Sequence, residues 1–348
     1  MLKKRIILAL QFLFFLGLGV FLVWWMARGI DDKGWDQIRL SLKQANYFLL
    51  IPVFFTLLLS HYLRALRWKL LIEPLGYTPS ITNVFCLVMV GYATNLAVPR
   101  FGEILKCTLL SRYERIPADK LVGTIVAERA VDVISLIITL LITVLLQIDV
   151  VGNYVLNSLN KAIQNNEGNG TNWIALLLVL TLIVLSFYFL YLLIKKFRYF
   201  KVVQKVINIF KGILLGLTSI RYVKQKKAFV AYSFFIWFLY LVSIWIGFHA
   251  MKETSLFSIK EALSILSFGS IGMLIPTQGG LGPYQFAVQE TLFLYGLDRP
   301  LGYTFGWLLW LAQNSIALIV GVICLLILPI INKSKRNESN TTYSAENS

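Results

Sequence analysis

Residues 275–285, IPTQGGLGPYQ, place two prolines and three glycines inside an otherwise apolar region. Proline removes a backbone hydrogen-bond donor and glycine weakens a helix interior, so the region cannot form one continuous helix. The arms on either side, residues 262–275 and 284–296, hold fourteen and thirteen residues. As helices they reach about 20 Å each, which is less than the hydrocarbon core of about 30 Å. Because unwound backbone is tolerated at membrane depth only where protein or water surrounds it, the pattern predicts a re-entrant hairpin that lines a cavity.

The composition is that of a membrane protein. Of the 348 residues, 57% are hydrophobic and only 14% are charged, with a mean hydropathy of +0.71, whereas a soluble chain needs more polar surface. The net charge of +16 comes from short basic blocks between apolar segments, which is typical of the positive-inside rule and not of a nucleic-acid binder. Three single cysteines, Cys86, Cys107 and Cys324, lack metal or disulfide spacing, so we expect no metal and no cofactor.

Six apolar segments have the length and composition of transmembrane helices. They are residues 6–25, 47–63, 122–147, 173–194, 228–250 and 301–331. Segment 195–227, bounded by Lys195 and Lys227, carries ten basic residues and no acidic one. It therefore predicts a multi-pass protein of the cell (inner) membrane with this segment and both termini in the cytoplasm. The segment either lies as an amphipathic helix on anionic lipids of the inner leaflet or forms an ordinary basic loop. The polar tail, residues 332–348, is expected to be disordered.

A second interrupted segment, residues 81–110, contains NLAVPRFGEILK at residues 95–106 and has basic residues on both flanks. Both ends therefore lie on the cytoplasmic side, which predicts another re-entrant hairpin. Six transmembrane helices and two re-entrant helical hairpins make an all-α polytopic membrane domain, residues 1–331. Its halves, residues 5–147 and 173–331, correspond as an inverted repeat, which is a recurrent plan of secondary transporters.

Charged and polar residues concentrate in the first hairpin and in the transmembrane helix after it. They are Asn95, Arg100, Glu103 and Lys106 in the hairpin and Glu128, Arg129 and Asp132 in the helix. An unpaired charge at membrane depth costs about 3 kcal/mol, so each charge needs a partner. In one interpretation the partners are internal and structural: Arg129 pairs with Asp132, and Arg100 caps Glu128.

In the other interpretation, the same residues bind a zwitterionic or anionic lipid headgroup whose acyl chains stay in the bilayer. The glycines of the other hairpin, Gly279, Gly280 and Gly282, would let backbone amides approach a phosphate near a helix N-terminus. Glycine in a turn has a structural explanation as well, so this sequence pattern by itself leaves both interpretations open.

Four motifs stand in an order and spacing that resemble a known family. They are RALRW (residues 64–68), NLAVPRFGEILK (95–106), AERAVD (127–132) and PTQGGLGPYQ (276–285). Over about residues 5–331 the chain resembles the transmembrane region of lysylphosphatidylglycerol synthases, a flippase-like superfamily of membrane proteins. The resemblance implies a polytopic protein whose relatives flip aminoacylated phospholipids. The candidate substrate contacts are Asn95, Pro99, Arg100, Gly102, Glu103, Glu128, Arg129, Asp132, Pro276, Gly279, Gly280, Gly282 and Gln285.

Two departures limit what the resemblance implies. The full-length synthases carry a soluble aminoacyltransferase domain that we do not expect here, so the protein is not expected to attach lysine to lipid. Relatives often place glutamate where this chain has Gln285, which puts in doubt any proton coupling through that carboxylate.

A lipid translocase is the first functional hypothesis, because it needs the buried charges and both hairpins but no catalytic constellation. The alternative is a membrane subunit that presents lipid or polyprenyl carrier to a separate transferase docked on segment 195–227. An enzyme acting alone is disfavoured, because His61 and His249 are predicted on different helices near opposite membrane faces. The nucleotide-binding P-loop pattern is absent. Transport would therefore be downhill, scrambling, or coupled to an ion gradient.

Overall fold

The computed structural model describes residues 2–147 and 221–346, with side chains for residues 12–147 and 221–333. Helices, and no strand, make up the regular structure of these residues, which confirms the predicted all-α class for this part of the chain. The helices are α1 (Leu2–Arg28), α2 (Asp32–Gln44), α3 (Leu50–Ile72), α4 (Ile81–Ala97), α5 (Phe101–Glu114), α6 (Ala118–Leu146), α7 (Lys226–Phe248), α8 (Ile259–Leu274), α9 (Pro283–Leu294) and α10 (Arg299–Glu346). Short 3-10 turns lie at Tyr47–Leu49, Glu73–Leu75, Lys252–Thr254 and Gln278–Gly280.

Four helical stretches within the described residues are long and apolar enough to cross a membrane. They are Tyr47–Leu75, Ala118–Leu146, Lys226–Phe248 and Arg299–Lys333. Each of them coincides with a predicted transmembrane helix. Apolar side chains such as Leu141, Phe234 and Leu326 are exposed on their outer faces, as a lipid environment requires.

Helices α1 and α10, at the two ends of the chain, continue differently beyond their apolar segments. Helix α1 contains the first predicted transmembrane segment and then bends by 106° into the polar helix α2. Helix α10 continues to Glu346, into the tail for which the sequence predicts disorder, because no proline or glycine after Pro329 ends the helix. The predicted helix 173–194, and all but the last seven residues of segment 195–227, lie outside the described residues.

The helix breaks at both predicted interruptions. Helices α4 and α5 form a first hairpin, joined by Val98, Pro99 and Arg100. Its two helices meet at Gly91 and Gly102, where a Cβ on Gly102 would overlap the Gly91 carbonyl oxygen. Glycine is therefore required at this crossing.

Helices α8 and α9 form a second hairpin, joined by residues 275–282. This linker unwinds at Gly279, Gly280 and Gly282, which have φ values of 58°, 78° and 86°, in the left-handed region that favours glycine. The indole N–H of Trp310 on α10 donates to the Gly279 carbonyl oxygen at 2.6 Å. The unwound linker is thereby held against α10.

Each hairpin packs against the helix that follows the other hairpin in the chain. Helix α3 lies against α7, α4 packs on α10, and α8 packs on α6. One apolar core around Trp68 and Leu87 joins α3, α4, α5, α6 and α10. A second core around Phe248 and Phe305 joins α7, α8, α9 and α10. Between the two cores the tips of both hairpins face one polar cavity.

Candidate functional site

A cavity of about 520 Å³ lies between the two hairpin tips and helices α3, α6, α7 and α10. Nine of the thirteen predicted contact residues line it. These are Asn95, Pro99, Arg100, Glu103, Arg129, Asp132, Pro276, Gly279 and Gly280. Residues far apart in the sequence, from both hairpins and from α6, therefore share one site.

The two carboxylates on α6 are bridged by arginines from α3. Asp132 accepts hydrogen bonds from Arg64 Nη1 at 2.7 Å and from Arg67 Nη2 at 2.6 Å. Glu128 accepts one from the same Arg64 Nη1 at 3.0 Å. Carboxylates four residues apart on one helix face repel each other unless a cation lies between them. The structure supplies that cation from a separate helix.

Lys106 joins the first hairpin to the same pair of helices. Its Nζ lies 3.0 Å from Glu128 Oε2 and 4.4 Å from the centre of the Trp68 ring. Glu128 is completely buried, with 0% of its side chain exposed. Arg64 at 3.0 Å and Arg67 at 3.8 Å also neighbour this carboxylate, and both arginines keep Asp132 as a second partner. A buried carboxylate of this kind fits a structural role, since removing it would take away the acidic partner of Lys106.

Arg129 and Glu103 form the part of the charged cluster that is open to the cavity. Arg129 Nε lies 2.7 Å from Glu103 Oε1, whereas its Nη1 lies 3.6 Å from Asp132 Oδ2. The Arg129 side chain is 44% exposed and lines the cavity. The expected pair of Arg129 with Asp132 is therefore present, but the closer partner of Arg129 is on the hairpin.

Arg100 occupies the tip of the first hairpin in a left-handed conformation, with φ 64° and ψ −2°. Its Nη2 lies 3.5 Å from the carbonyl oxygen of Leu274, at the end of α8. The expectation that Arg100 caps Glu128 is wrong, because Lys106 and Arg64 already occupy that carboxylate. The exposed guanidinium of Arg100 instead reaches toward the second hairpin.

Four of the predicted contact residues do not line the cavity. Gly102 packs on Gly91, and Glu128 is enclosed by its cationic partners. Gly282 faces the backbone of Gly19 on α1, where a Cβ would come within 2.6 Å of the Gly19 carbonyl oxygen. Gln285 is fully buried, and its Oε1 accepts a hydrogen bond from the Gly282 N–H at 2.8 Å. All four lie outside the cavity, and their contacts hold the helices and the linker that surround it.

The sequence interpretation missed the two arginines of α3. Arg64 and Arg67 follow the predicted transmembrane segment 47–63 and were not among the candidate contacts, yet both are buried and bind Asp132. Their spacing of three residues places them on one helix face, opposite carboxylates spaced by four. The match between the three-residue spacing of these arginines and the four-residue spacing of Glu128 and Asp132 is the sequence signal from which these ion pairs could have been predicted.

His61, Tyr92, Tyr240 and Asn314 were also missed as cavity residues. His61 was expected at a membrane interface, but it is buried, and its ring centre lies 4.6 Å from that of Tyr92. Tyr240 accepts a hydrogen bond from Arg64 Nη2 at 3.3 Å. These residues come from four helices, and no local sequence motif groups them.

Several apolar helices around a polar cavity define a polytopic membrane protein with an internal polar site. The model of the lysylphosphatidylglycerol synthase TM region matches residues 7–321, so the chain belongs to that family. This confirms the resemblance carried by the four motifs.

Over 133 residues the chain is 31% identical to the UPF0104 membrane protein MJ1595 of Methanocaldococcus jannaschii. The alignment covers 37% of this chain and 36% of the relative, so it spans little more than a third of that protein. No solved structure matches the chain.

Proposed function

We propose that the protein is a lipid translocase of the cell membrane that binds a phospholipid headgroup in the cavity and has no catalytic activity of its own. The observation that carries the proposal is the cavity itself, about 520 Å³ in volume and lined by charged side chains from α3, the first hairpin and α6 and by neutral residues of the second hairpin. Ligand sites in proteins have volumes of roughly 300–1,000 Å³. A phospholipid headgroup is of the right size and polarity to occupy this one.

The rim beside the charged residues is apolar, which supports a lipid over a soluble ligand. Leu274 and Ile275 on the second hairpin are exposed and line the cavity, and the exposed Phe101 and Ile104 are sequence neighbours of the cavity residues Arg100 and Glu103. Acyl chains could lie along these side chains while the headgroup enters. Arg100 spans the gap between the two hairpin tips through its contact with the Leu274 carbonyl oxygen.

The packing of each hairpin against the helix that follows the other hairpin supports an inverted repeat with two re-entrant hairpins. If α3, α4, α5 and α6 correspond to α7, α8, α9 and α10, the contact of α6 with α8 has its counterpart in α10 with α4. A two-fold relation between halves produces such reciprocal contacts, and α3 meets its own counterpart α7 at the centre. Rocking of one half against the other would expose the cavity to each membrane face in turn.

The proposal predicts that Arg129→Gln strongly slows lipid movement without unfolding the protein. Arg129 is 44% exposed, so the loss of its ion pair with Glu103 should cost at most about 1 kcal/mol of stability. We expect transbilayer movement of acyl-labelled phosphatidylglycerol in reconstituted vesicles to fall by about tenfold or more, because tenfold in rate corresponds to only about 1.4 kcal/mol.

Arg115→Gln is the matched control, since Arg115 is exposed at the end of α5 and does not line the cavity. It should move lipid at the wild-type rate. If lipid moved no faster in vesicles that contain the wild-type protein than in protein-free vesicles, the proposed translocation would be refuted. Lipid that copurifies without moving would then favour the role of presenting lipid to a separate transferase.

A further inference from the structure

Helix α2 packs against the base of the second hairpin from both sides. The Ser41 hydroxyl donates to Glu253 Oε2 at 2.8 Å, and Glu253 belongs to the connection that leads into α8. Ile38 packs with Tyr303 near the start of α10, the helix that follows the hairpin. Helix α2 therefore contacts the chain segments before and after the hairpin.

The helices that α2 connects determine how it lies relative to the membrane. Helix α1, which carries the apolar segment 6–25, bends by 106° into α2 over residues 29–31. Residues 45–49 then lead to α3, which is long and apolar enough to cross a membrane. Because both connections are short and the bend is close to a right angle, α2 runs nearly parallel to the membrane plane, at the level where α1 ends and α3 begins.

Exposed aromatic side chains mark the same level on the neighbouring helices. Trp24 and Trp25 lie in the last two turns of α1, and Tyr47 and Phe48 lie just before α3. Tryptophan and tyrosine are enriched where the hydrocarbon core of a membrane meets the headgroups. Helix α2, which lies between these two groups in the chain, is therefore placed at the membrane interface.

One edge of α2 is apolar and exposed. At about 100° per residue, Trp35 and Leu42 fall within about 20° of each other, next to the buried Ile38. Each of the two side chains is 38% exposed. An interfacial helix buries an edge of this kind about 5–10 Å into the boundary between headgroups and acyl chains.

The opposite side of α2 is largely polar. Lys33, Gln37 and Gln44 are exposed and lie about 140–180° around the helix from Trp35 and Leu42. Helix α2 has three basic and two acidic residues, so its charges nearly balance and attraction to anionic lipids contributes little. Its contact with a membrane therefore depends on the apolar edge.

We propose that α2 is an interfacial helix whose edge of Trp35 and Leu42 inserts into the membrane surface and so ties the base of the second hairpin to that face. The partner of this edge is the surrounding bilayer and not a lipid in the cavity, so the inference does not depend on translocation. Its continuity with α1 and α3 favours lipid over a soluble protein, because those helices hold α2 at the membrane surface.

Spin labels on introduced cysteines, in the full chain reconstituted into phosphatidylcholine vesicles, test this contact. The three native cysteines are buried, so unmodified protein measures the background labelling. Collisions of each label with oxygen, which concentrates in the bilayer, are compared with collisions with a water-soluble nickel chelate. We expect oxygen collisions to exceed nickel collisions for Trp35→Cys and Leu42→Cys, and the order to be reversed for Gln37→Cys and Gln44→Cys.

Leu40→Cys is the matched control. Leu40 is apolar and 55% exposed, but it lies about 160° around the helix from Leu42, so its label should collide mainly with the nickel chelate. Oxygen collisions that dominate at Leu40 but not at Leu42 would place the wrong side of α2 in the membrane. If labels at Trp35 and Leu42 met the nickel chelate or neither reagent, the edge would face water or another protein, and the proposal would be overturned.

Vesicles that also contain phosphatidylglycerol should give the same pattern of collisions. If the labels at Trp35 and Leu42 met oxygen only when this anionic lipid was present, charge and not the apolar edge would hold α2 on the membrane, which would contradict the proposal.

A label at Leu256 tests whether α2 holds the hairpin. Leu256 lies in the connection before α8 and is 95% exposed. The double variant Trp35→Gln and Leu42→Gln should lower the ratio of oxygen to nickel collisions for Leu256→Cys, whereas Leu40→Gln should leave it unchanged. An unchanged ratio in the double variant would refute the attachment of the hairpin through α2. These measurements do not involve lipid movement, so this proposal and translocation fail in different experiments.

Discussion

The two hairpins contribute opposite kinds of chemistry to one cavity. The first, α4–α5, turns within three residues and brings charged side chains to its tip and inner face, namely Arg100, Glu103 and Lys106. The second, α8–α9, turns over residues 275–282 and places glycine backbone there without a charged side chain. Similar helical architecture therefore does not imply a symmetric site.

The hairpins also differ in how they are held. Ion pairs bind the first hairpin to α6, through Lys106 with Glu128 and Glu103 with Arg129. The second hairpin is held by close backbone packing, with Gly282 against Gly19 of α1, and by the hydrogen bond from Trp310 to Gly279. Substitutions that remove charge should therefore damage the first hairpin, and substitutions that add volume should damage the second.

Glu128→Ala should have the largest effect on stability, because it leaves Lys106 and Arg64 buried without their shared carboxylate. Breaking a buried ion pair from one side costs about 3–5 kcal/mol. The free energy of unfolding, measured by denaturant titration in detergent, should fall by that amount. Glu128→Gln, which keeps the shape but removes the charge, should lose less and provides a folded variant if alanine is not tolerated.

Asp36→Ala is the exposed control for that measurement. Asp36 pairs with Arg39 at 3.4 Å on α2, where both side chains are more than three-quarters exposed. Exposed pairs of this kind contribute about 0–1 kcal/mol. If Asp36→Ala and Glu128→Ala lowered the free energy of unfolding by similar amounts, the buried ion pairs of Glu128 would not be what holds the first hairpin to α6.

Gly282→Ala tests the steric attachment of the second hairpin. The residue has φ 86°, and a Cβ would contact the Gly19 carbonyl oxygen of α1. The conformational cost of about 1–2 kcal/mol and an overpacking cost of about 1–3 kcal/mol should therefore add. Gly296→Ala is the control with positive φ and no steric conflict, because Gly296 has φ 85° and open space around it. Equal losses of melting temperature for the two variants would mean that α1 does not constrain this hairpin.

Arg100→Gly should change stability less than Glu128→Ala or Gly282→Ala, and it separates stability from function most clearly. Glycine relieves the left-handed conformation of Arg100, worth about 1–2 kcal/mol, so the melting temperature should rise. Lipid movement should nevertheless fall, because the guanidinium at the cavity is gone. Arg115→Gly is matched in backbone, with φ 55°, but lies away from the cavity, and it should gain the same stability at unchanged activity. Two equally active variants would remove Arg100 from the site.

The sequence by itself determined the class of the protein and the places where its helices break. Long apolar segments satisfy their own backbone hydrogen bonds as helices, and the proline and glycine clusters at residues 99–102 and 276–283 interrupt them, so both features are local. The predicted breaks near Pro99 and Pro276 appear at those positions. The family could likewise be inferred from four short motifs in order, because motifs are read along the chain.

Only the tertiary structure decided which charged side chains form ion pairs with one another. The partners Arg64, Arg67, Lys106 and Glu128 come from three helices. Helical periodicity states which residues share a face but not which helix lies opposite that face. Glu128 and Arg129 are adjacent in sequence, yet one is completely buried and the other is half-exposed to the cavity. The difference arises because successive residues on a helix point about 100° apart, and packing against α3 and α5 determines which direction is enclosed.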